Sequence, residues 1–213
     1  DLSITEHHKI IADMGLASIN LIGVIIAIFI GISLVNKEIE RRTIYTIMAR
    51  PISRTAFILG KYAGLTLTLF VNLSIMLAVF LATLLLYRMP ISASLLQAVA
   101  LIFVEILVVT AVALVFSTFS STTLSAILTL GMYVIGHLTA DIRSLASNSE
   151  SVAAKALVNV FYYLVPNLEM LNIKGQAAVG LLVTPQYLTL AIAYGMLYVA
   201  VLLSAACWIF RQR

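Results

Sequence analysis

The stretch that decides the fold is residues 15–35, GLASINLIGVIIAIFIGISLV, which holds no charged residue and no proline. A helix needs about 20 residues to cross a hydrocarbon layer of about 30 Å. Backbone groups inside lipid find no water to bond, so a crossing segment must satisfy them internally, as a helix does. Residues 15–35 therefore predict a transmembrane α-helix.

Four further stretches have the same apolar character, and none has proline in its interior. Each can form a helix that crosses the bilayer, the fourth span of the chain being the shortest. These stretches are residues 56–87, 96–119, 123–139 and 187–210. The sequence thus predicts an all-α polytopic membrane protein with five visible spans, in which residues 1–213 form a single transmembrane domain.

The overall composition agrees with lipid as the main surroundings. Hydrophobic residues make up 62% of the chain and charged residues 10%, with a mean hydropathy of +1.09. A soluble domain carries about 25% charged residues. The one cysteine, Cys207, lies in an apolar run, which excludes a disulfide framework and a thiolate metal site. The basic residues lie at helix ends rather than in a stripe, so we expect no nucleic-acid partner.

The basic residues also predict the orientation. Six of them surround the first connection, residues 36–55, and two close the chain, as follows: Lys37, Arg41, Arg42, Arg50, Arg54, Lys61, Arg211 and Arg213. Lysine and arginine are enriched in cytoplasmic loops. We therefore expect the first connection and the C-terminus in the cytoplasm and the N-terminus outside. An external N-terminus without a signal peptide leads us to expect a further, upstream helix that would bring the crossings to six.

The first connection and the start of the second span read NKEIERRTIYTIMARPISRTAFILGKY, residues 36–62. Ile39, Ile44 and Ile47 fall largely on one side of a helix with 3.6 residues per turn, which predicts an amphipathic helix. Pro51 ends it, and Ser53 can cap the next helix. Gly60 and Gly64 then leave a smooth patch for another helix. The residues alone leave two interpretations open: an interfacial helix on lipid headgroups, or a docking element for a soluble partner.

This block resembles the signature region of ABC transporter permeases of the ABC-2 type, especially the subgroup related to the nitrous-oxide-reductase accessory permease. The later segment FYYLVPNLEMLNIKGQA, residues 161–177, also resembles that subgroup. The likeness extends over most of the chain and is most specific in residues 36–62. Members usually carry one more N-terminal helix, which agrees with the expected upstream span. The matching residues are Lys37, Glu38, Ile39, Glu40, Arg42, Thr43, Pro51, Ser53, Arg54, Gly60, Lys61 and Tyr62.

The resemblance implies a permease subunit of an ATP-driven exporter in the inner membrane of a prokaryote. A cytoplasmic ABC ATPase subunit would hold the segment 36–55 and carry ATP and Mg²⁺, and a second permease copy would complete a homodimer. Two groups of residues follow from the resemblance. The coupling residues would be Glu38, Glu40, Arg41, Arg42 and Thr43, with Ile44 and Ile47 as packing anchors. The turn and the return of the chain into the membrane would use Pro51, Ser53, Arg54, Gly60 and Lys61.

The chain itself has no phosphate-binding loop. The nearest approach to Gly-x-x-x-x-Gly-Lys-Ser/Thr is Gly60-Lys61, which has Thr55 in place of the first glycine and Tyr62 in place of the magnesium-binding hydroxyl. We therefore expect no ATPase activity and no cofactor in this chain. The alternatives are an intramembrane protease or other membrane-embedded enzyme, and a secondary transporter or channel.

Few residues favour those alternatives. Ser33 lies in a fragment of a serine motif, and Glu6-His7-His8 has the wrong order for a zinc site. His137 lies near the outer end of the fourth span with no paired carboxylate evident. We expect no metal site.

Glu105 is the only acid well inside an apolar stretch. A charged residue there costs about 2.5–3.5 kcal/mol on insertion scales, so its side chain should face protein or water. It either joins helices as a neutral, hydrogen-bonded group or lines the substrate route. Depth counted along the two helices places His137 too close to the surface for a direct pair with Glu105.

The connection 140–186 mixes charges with an apolar run that Pro166 interrupts. We expect residues 153–164 to form a helix at the outer surface, as an external gate or as a plug. The substrate stays open between lipid, peptide, glycan, drug and metal-related cargo.

Overall fold

The computed structural model describes residues 2–40, 53–147 and 165–212. All regular structure in these residues is helical. The predictions for Arg41, Arg42, Thr43, Ile44, Ile47 and Pro51, and for the surface helix 153–164, concern residues outside the described part of the chain. The helices are α1 (Leu2–Glu40), α2 (Arg54–Leu86), α3 (Ala93–Phe119), α4 (Thr122–Ser147), a 3-10 turn (Leu168–Leu171), α5 (Lys174–Ala178) and α6 (Pro185–Gln212).

Five of these helices are long and apolar enough to cross a membrane, as the sequence predicts. Two are longer than their hydropathy indicated. The apolar stretch of α1 is residues 15–35, but the helix extends from Leu2 to Glu40. The apolar part of α4 is Thr122–Thr139, but the helix continues to Ser147. Both extensions lack proline, so the intrahelical hydrogen bonds continue past the apolar residues.

The long helices run alternately up and down, which gives the bundle two ends. The C-terminal end holds the end of α1, the start of α2 and the end of α6. The distal end holds the end of α2, the start of α3 and the segment 165–184. Stacking between Phe57 and Phe210, at 5.8 Å, joins α2 and α6 at the C-terminal end.

Helix α3 is the centre of the bundle. Inside the bundle, 78% of its most apolar stretch is buried, against 22% of the corresponding stretches of α2, α4 and α6. It packs mainly against α6 and α1. Close approach to α6 depends on Gly195, because a Cβ there would collide with Val104. The outward faces of α2, α4 and α6 present large apolar side chains, including Phe70, Ile127 and Leu197. Such surfaces suit contact with lipid.

The segment 165–184 covers the distal end and is fixed there by hydrogen bonds. Ser94 donates to the carbonyl of Ala177 at 3.1 Å. The Gln97 side chain bonds both backbone groups of Val183, at 3.2 and 3.4 Å. Part of the predicted loop 140–186 is therefore helical or tightly packed rather than irregular.

Candidate functional site

The proposed coupling segment begins inside α1. Glu38 and Glu40 belong to the last turn of this helix, which is continuous with the apolar stretch that ends at Val35. At a rise of 1.5 Å per residue, the helix projects about 8 Å beyond that stretch. The C-terminal end of α1 therefore continues the transmembrane helix without a break.

The chain returns to the bundle at Ser53. Its hydroxyl accepts a hydrogen bond from the backbone N–H of Ala56 at 3.2 Å, so the predicted cap of α2 is present. Arg54 is the first residue of α2, and the ammonium of Lys61 lies 5.2 Å from the ring centre of Phe57. Lys61 thus lies beside the Phe57–Phe210 stack, where a cation is favoured by the ring face.

Gly60 and Gly64 have open space around them. A Cβ built at either position would meet nothing within 4 Å among the residues that the structure describes. Between them, Tyr62 turns inward and donates a hydrogen bond to the carbonyl of Leu107 at 3.0 Å. Helix α2 is therefore attached to α3 on one face and unobstructed along its glycine-containing face.

Glu105 lies at the centre of a polar contact between three helices. Its side chain has no exposed surface, and the amide of Asn20 on α1 donates to its two oxygens at 3.3 and 3.2 Å. Nε2 of His137 on α4 lies 2.8 Å from Oε1. Glu105 was expected to face protein or water, and in the structure its side chain faces protein. The Oδ1 atom of Asn20 is buried and has no partner among the described residues.

The prediction that His137 is too shallow to reach Glu105 is wrong. It measured depth from the end of the apolar run at Thr139, whereas α4 continues to Ser147. His137 is therefore about 15 Å from the end of its helix, and Glu105 is about 18 Å from the start of α3 at Ala93. The two residues lie at similar depths. The statement that His137 has no paired carboxylate is wrong for the same reason.

A second carboxylate approaches the same imidazole from the distal segment. Oε2 of Glu169, in the 3-10 turn, lies 3.4 Å from Nδ1 of His137. The amide of Asn172 donates to both oxygens of Glu169, at 3.2 and 3.1 Å. The ring of Tyr133 meets the imidazole edge to face at 4.8 Å. Glu105, His137 and Glu169 thus form a polar chain from the helix core to the distal end.

Sequence reasoning missed the role of His137 and Glu169. A histidine within an apolar helix was the available signal, since polar residues inside a membrane span normally face other protein groups. Within the described residues, no three His, Cys, Asp or Glu side chains lie close enough to hold a metal ion. The arrangement can bind and exchange a proton and can tie helices together.

A known protein family matches the chain along its whole length. A family model described as "ABC-2 family transporter protein" matches residues 1–213. The chain belongs to the ABC-2 transporter family. The match covers every span and the connection 36–55 of this ABC-2 family protein, but it gives no support to the nitrous-oxide-reductase subgroup. No curated protein matches the chain.

Proposed function

We propose that this chain is the permease subunit of an ATP-driven exporter. The single observation that supports this most is the match of an ABC-2 transporter family model to residues 1–213. A separate ATPase subunit would supply the energy, since the 213 residues contain no phosphate-binding loop. ATP and Mg²⁺ would then bind to that subunit, and this chain would hold no cofactor and catalyse no reaction itself.

Charge supports a cytoplasmic position for the C-terminal end of the bundle. The end of α1, the start of α2 and the end of α6 share this end. Residues 36–55, which join α1 to α2, and the last three residues carry most of the lysine and arginine residues. Because cytoplasmic loops are rich in such residues, the ATPase would meet the protein here, and the distal end would face outward from the inner membrane of a prokaryote.

The geometry of α1 suggests how ATPase closure would reach the substrate path. Glu38 and Glu40 would set the register of the contact with the ATPase, together with Arg41, Arg42 and Thr43. Movement of the last turn would pass along the continuous helix to Asn20. Asn20 bonds Glu105, so α1 would act directly on the buried polar contact with α3 and α4.

A second copy of the chain would complete the transporter as a homodimer. The unobstructed face of α2 around Gly60 and Gly64 is compatible with close approach of another helix. The substrate would be moved at the interface of the two copies. Its chemical class stays open.

A secondary transporter is the second candidate. The specific observation in its favour is the buried pair of Glu105 and His137, since ionisable residues inside membrane spans commonly belong to proton or ion pathways. Transport that proceeds without ATP and depends on a proton gradient would favour this candidate over the exporter.

The test is a charge reversal at the proposed coupling residues. The chain is reconstituted in lipid nanodiscs with candidate ABC ATPases from its own genome, and ATP hydrolysis is measured. We expect the double variant Glu38→Lys, Glu40→Lys to insert into the membrane normally. It should no longer stimulate ATP hydrolysis by the ATPase, because its reversed charges would no longer complement the charges of the partner surface. Asp13→Lys, at the exposed distal end of the same helix, is the matched control and should leave stimulation unchanged. Normal stimulation by the double variant would refute the coupling role.

A further inference from the structure

Glu105, His137 and Glu169 connect the helix core to the distal surface. The exposed fraction of the side chain rises along the series, from 0% for Glu105 to 19% for His137 and 44% for Glu169. The His137 imidazole is therefore partly exposed on the side of Glu169 and bonded to a fully buried carboxylate on the other.

Both ring nitrogens of His137 face carboxylate oxygens. Nε2 lies 2.8 Å from Oε1 of Glu105, and Nδ1 lies 3.4 Å from Oε2 of Glu169. A neutral imidazole has one N–H donor and one lone pair, whereas the imidazolium has two donors. With a neutral ring, one lone pair would point at a carboxylate and repel it. The two contacts are both favourable only when the site holds an additional proton.

Loss of that proton would break one of the two contacts and keep the other. Glu105 is buried and needs donors to offset the cost of its burial, so the remaining hydrogen of the ring stays on Nε2. Nδ1 then presents its lone pair to Glu169. The contact with Glu169 is already the longer one, and this carboxylate can turn to water. The proton leaves Nδ1 for water at the distal end, and only the Glu169 contact is lost.

The charged and titratable groups around His137 are few in the described residues. Glu105 faces it from α3 and Glu169 from the 3-10 turn, and both favour the imidazolium. Lys174 on α5 opposes it by like charge. Tyr133 contacts the ring from its own helix, and Tyr187 of α6 lies near Glu169. From α1, the group that reaches the site is the neutral amide of Asn20.

The Glu169 contact lies beside a lightly buried helix. Only 22% of the most apolar stretch of α4 is buried inside the bundle, the same fraction as for α2 and α6. A narrow apolar crevice, too small to hold a water molecule, lies between α3 and α4 below the polar chain and reaches the 3-10 turn. Its lining includes Val108, Val112, Thr129, Met132, Pro166 and Leu168.

Neutral hydrogen bonds attach the distal segment to α6 rather than to α4. The backbone N–H of Asn167 donates to the Tyr194 hydroxyl at 2.8 Å, and the Tyr187 hydroxyl donates to the carbonyl of Met170 at 2.8 Å. These bonds do not change when His137 gains or loses a proton. Loss of the proton would therefore remove the polar tie between α4 and the distal segment, so that α4 is held there only by packing of Gly136 against Pro166 and Leu168, while the hydrogen bonds to α6 remain.

We propose that Glu105, His137 and Glu169 form a proton-binding latch at the distal end. Protonated His137 holds α4 against the 3-10 turn, and release of the Nδ1 proton allows the distal end of α4 to separate along the crevice. The latch is a property of this chain alone, so it goes beyond the proposed exporter function and does not depend on an ATPase partner.

The latch can be tested by measuring a distance within the full chain. Spin labels are attached at Leu138→Cys, an exposed site on α4, and at Gln176→Cys, an exposed site on α5, in a Cys207→Ser background. Double electron–electron resonance is recorded in lipid nanodiscs at about pH 5.5 and about pH 9, because the two facing carboxylates require an upper pH above histidine's ordinary range. Dilution with unlabelled protein restricts the signal to distances within one chain.

We expect the wild-type distance distribution to shift to longer values at the higher pH. Glu169→Gln should remove the shift, because its amide can accept from an imidazolium and donate to a neutral ring. His137→Gln should also remove it. The control with both His7→Gln and His8→Gln should keep the shift, since these are the other two histidines of the chain.

Three results would overturn the latch: equal wild-type distributions at the two pH values, a wild-type shift in Glu169→Gln, or loss of the shift in the His7 and His8 control. Glu169 is half-exposed, so its variant keeps the test decisive if His137→Gln does not fold.

Discussion

Removing the buried carboxylate of Glu105 should lower the free energy of unfolding of the helix bundle by more than the lost side-chain volume alone would. Glu105 joins three helices, because it accepts hydrogen bonds from Asn20 of α1 and faces His137 of α4. Glu105→Ala leaves the buried Asn20 amide and Nε2 of His137 without their acceptor. Glu105→Gln keeps the shape of the side chain and offers one acceptor and one donor group.

The hydrogen-bond partners of Glu105 determine how much each substitution lowers the free energy of unfolding. Breaking a buried charged pair by removing one partner costs about 3–5 kcal/mol, because the other group is left unpaired. We expect a loss in this range for Glu105→Ala. In Glu105→Gln, the carbonyl can accept from Asn20 and the amide can donate to a neutral His137. The loss is then the difference between charge-assisted and neutral hydrogen bonds, about 1–1.5 kcal/mol.

The free energy of unfolding can be measured for both variants by steric trapping in lipid bicelles. Ile102→Val, one turn earlier on α3 and equally buried, controls for packing and should cost about 0.5–1.5 kcal/mol. The reasoning fails if Glu105→Ala is within about 1 kcal/mol of wild type, or if Gln destabilises as much as Ala. A more stable Ala variant would mean that the buried charge opposes folding instead of joining helices.

Two smaller predictions concern helix contacts. Gly136→Ala should cost about 1–3 kcal/mol of unfolding free energy, because a Cβ would lie 2.8 Å from the carbonyl of Pro166. Gly131→Ala, on the same helix with nothing within 4 Å, should instead stabilise slightly, and an equal loss at both positions would contradict the close contact. Tyr62→Phe should cost about 0.5–1.5 kcal/mol through loss of its bond to Leu107, whereas Tyr87→Phe, 62% exposed, should be neutral. The same unfolding measurement distinguishes these outcomes, and equal effects of the two tyrosine changes would rule out the Tyr62 bond.

Hydropathy was sufficient to locate the spans and to place Glu105 against protein. A charge in lipid is costly enough that its side chain has few other places to go. Ser53 was also predictable, because an N-cap depends on one hydroxyl and the backbone beside it.

The ends of the helices were not predictable from hydropathy. Residues 2–8 and 140–147 are too polar for the apolar core of a membrane, yet they are helical, because helix formation requires continuous backbone bonding rather than apolar side chains. The error in the end of α4 hid the pair of His137 with Glu105. The contact with Glu169 was hidden for another reason: the two residues are 32 positions apart, and only tertiary packing brings them together.

We propose that this ABC-2 family protein transmits the work of a separate ATPase. ATP hydrolysis by candidate ABC ATPases from the same genome, measured in nanodiscs with and without the wild-type chain, tests this most directly. We expect one of them to form a stable complex at the C-terminal end of the bundle and to hydrolyse ATP faster in the presence of the chain. A purified chain that neither binds any of these ATPases nor changes their rates would contradict the account.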